Sequence, residues 1–203
     1  MTFIFDLDDT ICTTDVSSEQ YIIDFIIKNN LPYKLAHPEE RYTKQKFNWD
    51  DETSQTWYKQ HGDHMILSFP CKPNAVKVIN MLHEQGHRIV FATARSTDWY
   101  SQPKETTIAW LKKNDIKYDK LYTATSDKER ICELENADFF LDDDVEITKR
   151  VAAYFSSVNK GKAFLMESKY NKDIQIPENI QRVKDLKEFI SFLNEKSLEI
   201  QID

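Results

Sequence analysis

Asp6, Asp8, Asp9 and Thr10 crowd the start of the chain, directly after the apolar run Phe3-Ile4-Phe5. That run is too short for a helix and reads as a buried strand, which puts Asp6 at its C-terminal end. In an extended chain Asp8 points the same way as Asp6. Two carboxylates so placed repel unless a cation or a shared proton lies between them. Their oxygens suit a hard ion such as Mg²⁺. The plainer reading is a strand ending in a solvated acidic turn, and on this stretch alone the two weigh evenly.

Two later stretches also end an apolar run in chemistry. Ile89-Val90-Phe91-Ala92 leads into Thr93, Ala94 and Arg95, and Phe139-Phe140-Leu141 leads into Asp142-Asp143-Asp144. Lys128 opens a helix after the short run Lys120-Leu121-Tyr122. Each has an ordinary explanation when taken alone. Thr93 can cap a helix, Lys128 can be a solvated lysine, and the acidic triplet can cap a helix N-terminus. Asp144 fits that cap best, because three adjacent side chains cannot all face one ion. Asp9 is expected outward or as a cap. Arg95 either contacts a substrate or pairs with the excess carboxylates.

The elements around these residues follow a regular rhythm. Tyr21, Ile22, Phe25 and Ile26 repeat at helical spacing, and Asn29-Asn30 with Pro32 end that helix. From Tyr33 to Pro70 the chain is polar and rich in aromatic residues. Asp50 to Phe69 reads as one helix, or two broken at Gly62, and no β-run lies between Cys12 and Pro73. Asn74 caps a helix through Glu84 that stops at Gly86. Helices over Lys104–Asn114, Asp127–Leu134 and Val145–Tyr154 alternate with strands, the last at Lys162–Met166. Residues 171–181 read as an exposed connection, and Lys184–Lys196 as an amphipathic final helix. This alternation predicts an α/β fold with a doubly wound, Rossmann-like parallel sheet. Residues 1–13 and 71–203 would form the core, with 14–70 inserted as a small helical cap. Strand C-termini then share one edge, and ligands bind outside it.

Composition narrows the function classes. The 203 residues suit one domain carrying an insertion. A net charge of −7 argues against a broad surface for a nucleic acid polymer, but not against a small anion in a local cationic pocket. With three glycines, no Gly-rich phosphate cradle is present. No signal peptide and no membrane-spanning run are apparent, so a cytoplasmic protein with no membrane partner is expected. Cys12, Cys71 and Cys132 are odd in number and lack metal spacing, which reads as reduced thiols, with Cys12 a packing residue. A homodimer is compatible with the sequence.

Taken in order, strand–Asp-x-Asp-x-Thr, helical insertion, strand–Thr, Lys, strand–Asp-Asp resembles the haloacid dehalogenase superfamily of phosphotransferases over nearly the whole chain. The motif spacing and the insertion resemble its cytosolic 5′(3′)-deoxyribonucleotidase branch. The resemblance implies that Asp6 attacks phosphorus to form an aspartyl-phosphate, and that Asp8 serves as general acid and then base. It implies Mg²⁺ held by Asp6, the Asp8 main-chain carbonyl and the Asp142-Asp143 pair. Thr93 and the Ala94 N–H would hold phosphate oxygens beside Thr10 and Arg95, with Lys128 neutralising charge. Four carboxylates around a dianionic phosphate are untenable without Mg²⁺ and Lys128. The insertion would set specificity, with Trp49, Trp57 or Tyr58 as a stacking platform; His61 and His64 lack a third metal ligand. The expected substrate is a small phosphorylated metabolite, most simply a nucleoside monophosphate. The alternatives are a sugar-phosphate phosphatase, a receiver-like phospho-signalling protein and a non-catalytic nucleotide-binding protein.

Overall fold

A computed structural model of the chain describes residues 1–38, 40 and 42–194. It contains one six-stranded sheet in the order β3-β2-β1-β4-β5-β6, parallel throughout. The strands are β1 (Thr2–Phe5), β2 (Arg88–Ala92), β3 (Lys120–Tyr122), β4 (Phe139–Asp142), β5 (Lys162–Met166) and β6 (Ile180–Val183). Between β1 and β2 lie α1 (Asp15–Lys28), α2 (Thr43–Phe47), α3 (Asp51–Ser68) and α4 (Ala75–Glu84). The later crossovers are α5 (Pro103–Lys113), α6 (Lys128–Leu134) and α7 (Val145–Ser157), and α8 (Leu186–Asn194) follows β6.

The central strands β1, β2, β4 and β5 are apolar at consecutive positions because both faces of the sheet are covered. The two faces hold different side chains. Phe3, Phe5, Phe91, Leu141 and Phe164 face a cluster that includes Leu82 of α4, Trp110 of α5 and Phe189 of α8. Ile4, Val90, Ala92, Phe140 and Ala163 face Cys132 of α6 and Val151 and Phe155 of α7. Chain order reverses beside β1: β2 and β3 lie on one side, and β4, β5 and β6 on the other. Asp6 and Asp142 therefore stand at the switch point, where an α/β sheet leaves a crevice.

Several expectations are revised. Residues 171–181 are not wholly an exposed connection: Ile180 and Val183 are buried and form the ends of β6, an edge strand. α3 runs unbroken through Gly62, which is buried against the ring of Tyr100. Asn74 occupies the N-cap position with φ of 64°, but its side chain makes no capping bond. The final helix is described to Asn194, so its predicted end at Lys196 lies outside the described residues. No described strand falls between β1 and β2, as the sequence pattern predicts. Among the described residues no helix is long and apolar enough to cross a membrane.

Candidate active site

The loop after β1 is a tight turn in which the N–H groups of Thr10, Ile11 and Cys12 all point to the Leu7 carbonyl, at 3.3, 2.9 and 3.0 Å. Asp9 takes a left-handed φ of 56°, and its Oδ1 accepts a 3.0 Å bond from Thr14 N–H at the start of α1. It is thus a buried cap and not an outward residue. The turn leaves Asp6 and Asp8 facing the carboxyl edge of the sheet. Thr10 is fully buried, and its hydroxyl finds no hydrogen-bond partner among the described residues.

Lys128, at the first turn of α6, reaches the same edge. Its Nζ donates to Asp6 Oδ1 at 2.5 Å and to Asp142 Oδ2 at 2.6 Å, with all three side chains almost fully buried. Asp142 Oδ1 accepts from the Asp144 N–H at 2.8 Å, while Asp144 caps α7 through Glu146 N and Ile147 N, as expected for that residue. Asn171, buried in the loop after β5, donates to the main-chain carbonyls of Asp143 and Met166, both at 2.8 Å. It thereby ties the acidic loop to the neighbouring strand end.

The electrostatics of this cluster favour another cation. Burial pushes the Asp6 carboxyl up to about 7, Lys128 opposes this, and Asp142 and Asp8 add to it. Lys128 is held charged: burial works against its ammonium, and the two carboxylates outweigh that. Lys128 bonds Asp6 and Asp142 directly, and the Lys72 ammonium acts electrostatically on Asp143 and Asp6. Single carboxylate oxygens of these three lie within 4.8 Å of one another. An all-oxygen, buried set of this size fits a hard divalent ion such as Mg²⁺.

Arg95 resolves in favour of pairing. Its guanidinium grips Asp8 in a fork, Nε to Oδ2 at 2.9 Å and Nη2 to Oδ1 at 2.7 Å. Nη1 donates to Thr107 Oγ1 of α5 at 3.1 Å, and the group is 1 % exposed. Burial opposes its charge, and Asp8 more than offsets that. Such a bidentate pair fixes carboxylate orientation as well as charge. The Thr93 hydroxyl accepts from Arg95 N–H at 3.3 Å. Thr93 is fully buried, and Ala94 beside it is exposed at the wall of the cavity.

A cavity of about 620 Å³ opens above this edge. Asp6, Asp8, Asp142, Asp143, Ala94, Arg95 and Lys128 line one end. Thr10 and Thr93 do not line it. The opposite wall comes from α2 and α3, with Trp57 and Tyr58. Trp49 is packed away from it, between Phe25, Phe47 and Trp57. His61 packs edge-on against Phe25 and joins no metal cluster found among the described residues. Sequence reasoning missed Trp99 and Tyr100, which also line the cavity and stand edge-to-face with Tyr58 at 5.5 and 5.6 Å. Their position in the loop after β2 was the available signal, since such loops shape sites on parallel sheets.

No protein-family model matches the sequence, and no curated protein does. Solved structures match the fold. A haloacid dehalogenase-like family hydrolase from Streptococcus pneumoniae superposes with a TM-score of 0.65 at 12% identity, covering 94% of this chain and 97% of that one. The HAD-hydrolase YfnB from Bacillus subtilis, bound to magnesium and described as revealing interdomain movement, gives 0.63 at 13%, covering 95% and 98%. D,D-heptose 1,7-bisphosphate phosphatase from Burkholderia thailandensis gives 0.56 at 14%, covering 95% and 97%. At such identities the likeness is one of fold.

Proposed function

We propose that this chain, with the fold of haloacid dehalogenase-like hydrolases, is a Mg²⁺-dependent phosphomonoester hydrolase acting on nucleoside monophosphates. The observation that carries the reading is the buried Asp6–Lys128–Asp142 group, with Asp143 beside it, in a cavity that Trp57, Tyr58, Trp99 and Tyr100 also line. Asp6 would attack phosphorus, forming an aspartyl-phosphate that water then hydrolyses. Asp8 would protonate the leaving oxygen and then take a proton from the water, held in line by Arg95. The Ala94 N–H would hold a phosphate oxygen, with Thr93 behind the cavity wall bonded to the Arg95 N–H, and Lys128 would offset charge on the transferring group. Asp6, the Asp8 carbonyl and Asp142 or Asp143 would hold Mg²⁺, which supplies the positive charge that lets a dianion approach these carboxylates. The described magnesium complex of YfnB supports this assignment.

The helical segment of residues 14–70 would act as a cap over the edge, and YfnB, which shares the fold, is described as revealing interdomain movement. Trp57, Tyr58, Trp99 and Tyr100 give the leaving group ring surfaces to pack on, which favours a nucleoside. Trp49 and Trp57 both bury an Nε1–H with no acceptor among the described residues, and of the two only Trp57 lines the cavity. A ligand acceptor would satisfy it. A sugar phosphate is the second reading, favoured by the likeness to the heptose bisphosphate phosphatase.

Phosphate release from a panel of nucleoside monophosphates and sugar phosphates, with Mg²⁺ and with EDTA, tests both. Release from nucleotides that EDTA abolishes is the expected result. Preference for sugar phosphates would replace the first reading by the second. A stable phosphoryl-enzyme without turnover would replace both by a phospho-signalling role.

A further inference from the structure

The chain crosses twice between the sheet and the helical segment, once at residues 11–14 and once at residues 69–72. The two crossings run antiparallel and touch at one pair of residues, Cys12 and Cys71. Thr13 N–H donates to Pro70 O at 3.0 Å, and Lys72 N–H to Ile11 O at 2.8 Å. Those bonds flank the cysteines without involving their own amides, so Cys12 and Cys71 form a non-hydrogen-bonded pair. In such a pair Cα atoms stand about 4.5 Å apart and the side chains leave the ribbon on the same face. A disulfide requires a Cα separation of about 4.4–6.8 Å. Both residues are free thiols packed in the same apolar cluster, Cys12 fully buried and Cys71 half-buried.

We propose that Cys12 and Cys71 are a redox clamp: oxidation joins them and locks the helical segment over the cavity. The oxidant class is a low-molecular-weight disulfide. The Cys71 thiolate attacks one of its sulfurs and expels a thiolate, which takes up a proton. Cys12 then attacks the Cys71 sulfur of the mixed disulfide and expels the second half. Both cysteine thiols lose their hydrogens, the reagent gains two, and the protein is oxidised by two electrons. Cys71 is the entry point because it is the accessible one. Burial pushes both thiols up, Cys12 well above its ordinary value.

The bond reaches the catalytic edge directly. The Cys12 thiol donates to Leu7 O at 3.2 Å, inside the turn that presents Asp8, and its sulfur lies 3.6 Å from Arg95 Nη2. Oxidation removes that thiol hydrogen and its bond within the turn. The segment is otherwise fastened by apolar packing, such as Tyr58 against Trp99 and Tyr100, and by hydrogen bonds, such as Asp63 accepting from Gln102 N–H at 3.0 Å, all of which can open and re-form. A covalent tie between the two crossings cannot.

The test uses the full chain, reduced or treated with oxidised glutathione. Three readouts follow: peptide mapping by mass spectrometry without reduction, thermal melting, and Mg²⁺-dependent phosphate release. The clamp predicts a Cys12–Cys71 linked peptide and a melting temperature raised by about 5 °C or more. Turnover falls about tenfold, because release needs the segment to open, and a thiol reductant restores it. Cys71→Ser loses the link and both responses, whereas Cys132→Ser keeps them. No linked peptide, a response that survives in Cys71→Ser, or a linked protein with unchanged melting and turnover would overturn the clamp. The turnover readout rests on the proposed phosphatase reading. If the reduced protein releases no phosphate, that reading fails, while the linked peptide and the melting shift still decide the clamp.

Discussion

Gly62→Ala makes a demanding perturbation, because two familiar effects there have opposite signs. In an unobstructed helix interior, replacing Gly by Ala gains about 1 kcal/mol. Gly62 lies within α3, but a Cβ there would sit 2.5 Å from Tyr100 Cδ1 and 2.8 Å from Cε1. Ordinary carbon contacts fall near 3.5–4.0 Å, so the ring must retreat by roughly 1 Å. It cannot do so freely, since Tyr58 stands against it at 5.6 Å and Tyr100 N–H is held by Ser96 O at 3.0 Å. Overpacking of this kind costs about 1–3 kcal/mol. The net expectation is a loss of roughly 0–2 kcal/mol in urea unfolding. KM should rise as well, because Tyr100 is part of the cavity wall. In a Tyr100→Ala background the obstruction is gone, and Gly62→Ala should then stabilise by about 1 kcal/mol. If Gly62→Ala in the otherwise native chain is stabilising by that amount with KM unchanged, the interlock between α3 and the loop after β2 does not exist.

Two further perturbations probe charge. Lys128→Met leaves the buried Asp6 and Asp142 without their ammonium, and should cost about 3 kcal/mol or more in unfolding free energy. Added Mg²⁺ should raise the melting temperature of that variant more than that of the native chain; equal shifts would contradict the shared site. Glu135→Gln tests a second cluster, at the sheet flank. Burial pushes the Glu135 carboxyl up, but hydrogen bonds from Lys120, Tyr122 and Arg88 outweigh this and bring it to about 2. Because the folded value is depressed, its stabilisation is fully present above the ordinary carboxylate range and is lost as pH falls toward 2. The variant should therefore be less stable by about 1–2 kcal/mol at pH 7, with the gap closing in melts between pH 4.5 and 2.

The candidate site was legible in the sequence because short apolar strands end abruptly in charged and polar residues, and parallel topology gathers strand ends. Asp6, Asp8, Asp142 and Lys128 could be placed by that logic alone. What Arg95 touches could not, because two outcomes fit the same residue, and only the three-dimensional position of Thr107 and Asp8 decides for pairing. β6 escaped notice because Ile180 and Val183 are separated by polar Gln181 and Arg182, and an edge strand needs few apolar positions. The roles of Trp49 and Trp57 were indistinguishable by pattern: both are tryptophans among polar neighbours in one segment. Their separation, one toward the cavity and one into packing with Phe25 and Phe47, depends on how α1, α2 and α3 cross. The Cys12–Cys71 pairing spans the whole helical segment and leaves no local trace.

The central claim is that Asp6 is a nucleophile in a Mg²⁺-dependent phosphate site. The most direct measurement is phosphate release by Asp6→Asn with Mg²⁺, on whichever phosphomonoester the native chain hydrolyses best, with melting curves confirming the fold. Turnover should fall about a thousandfold or more, and the variant should form no acid-stable phosphoryl-enzyme. Full turnover by Asp6→Asn would contradict the account.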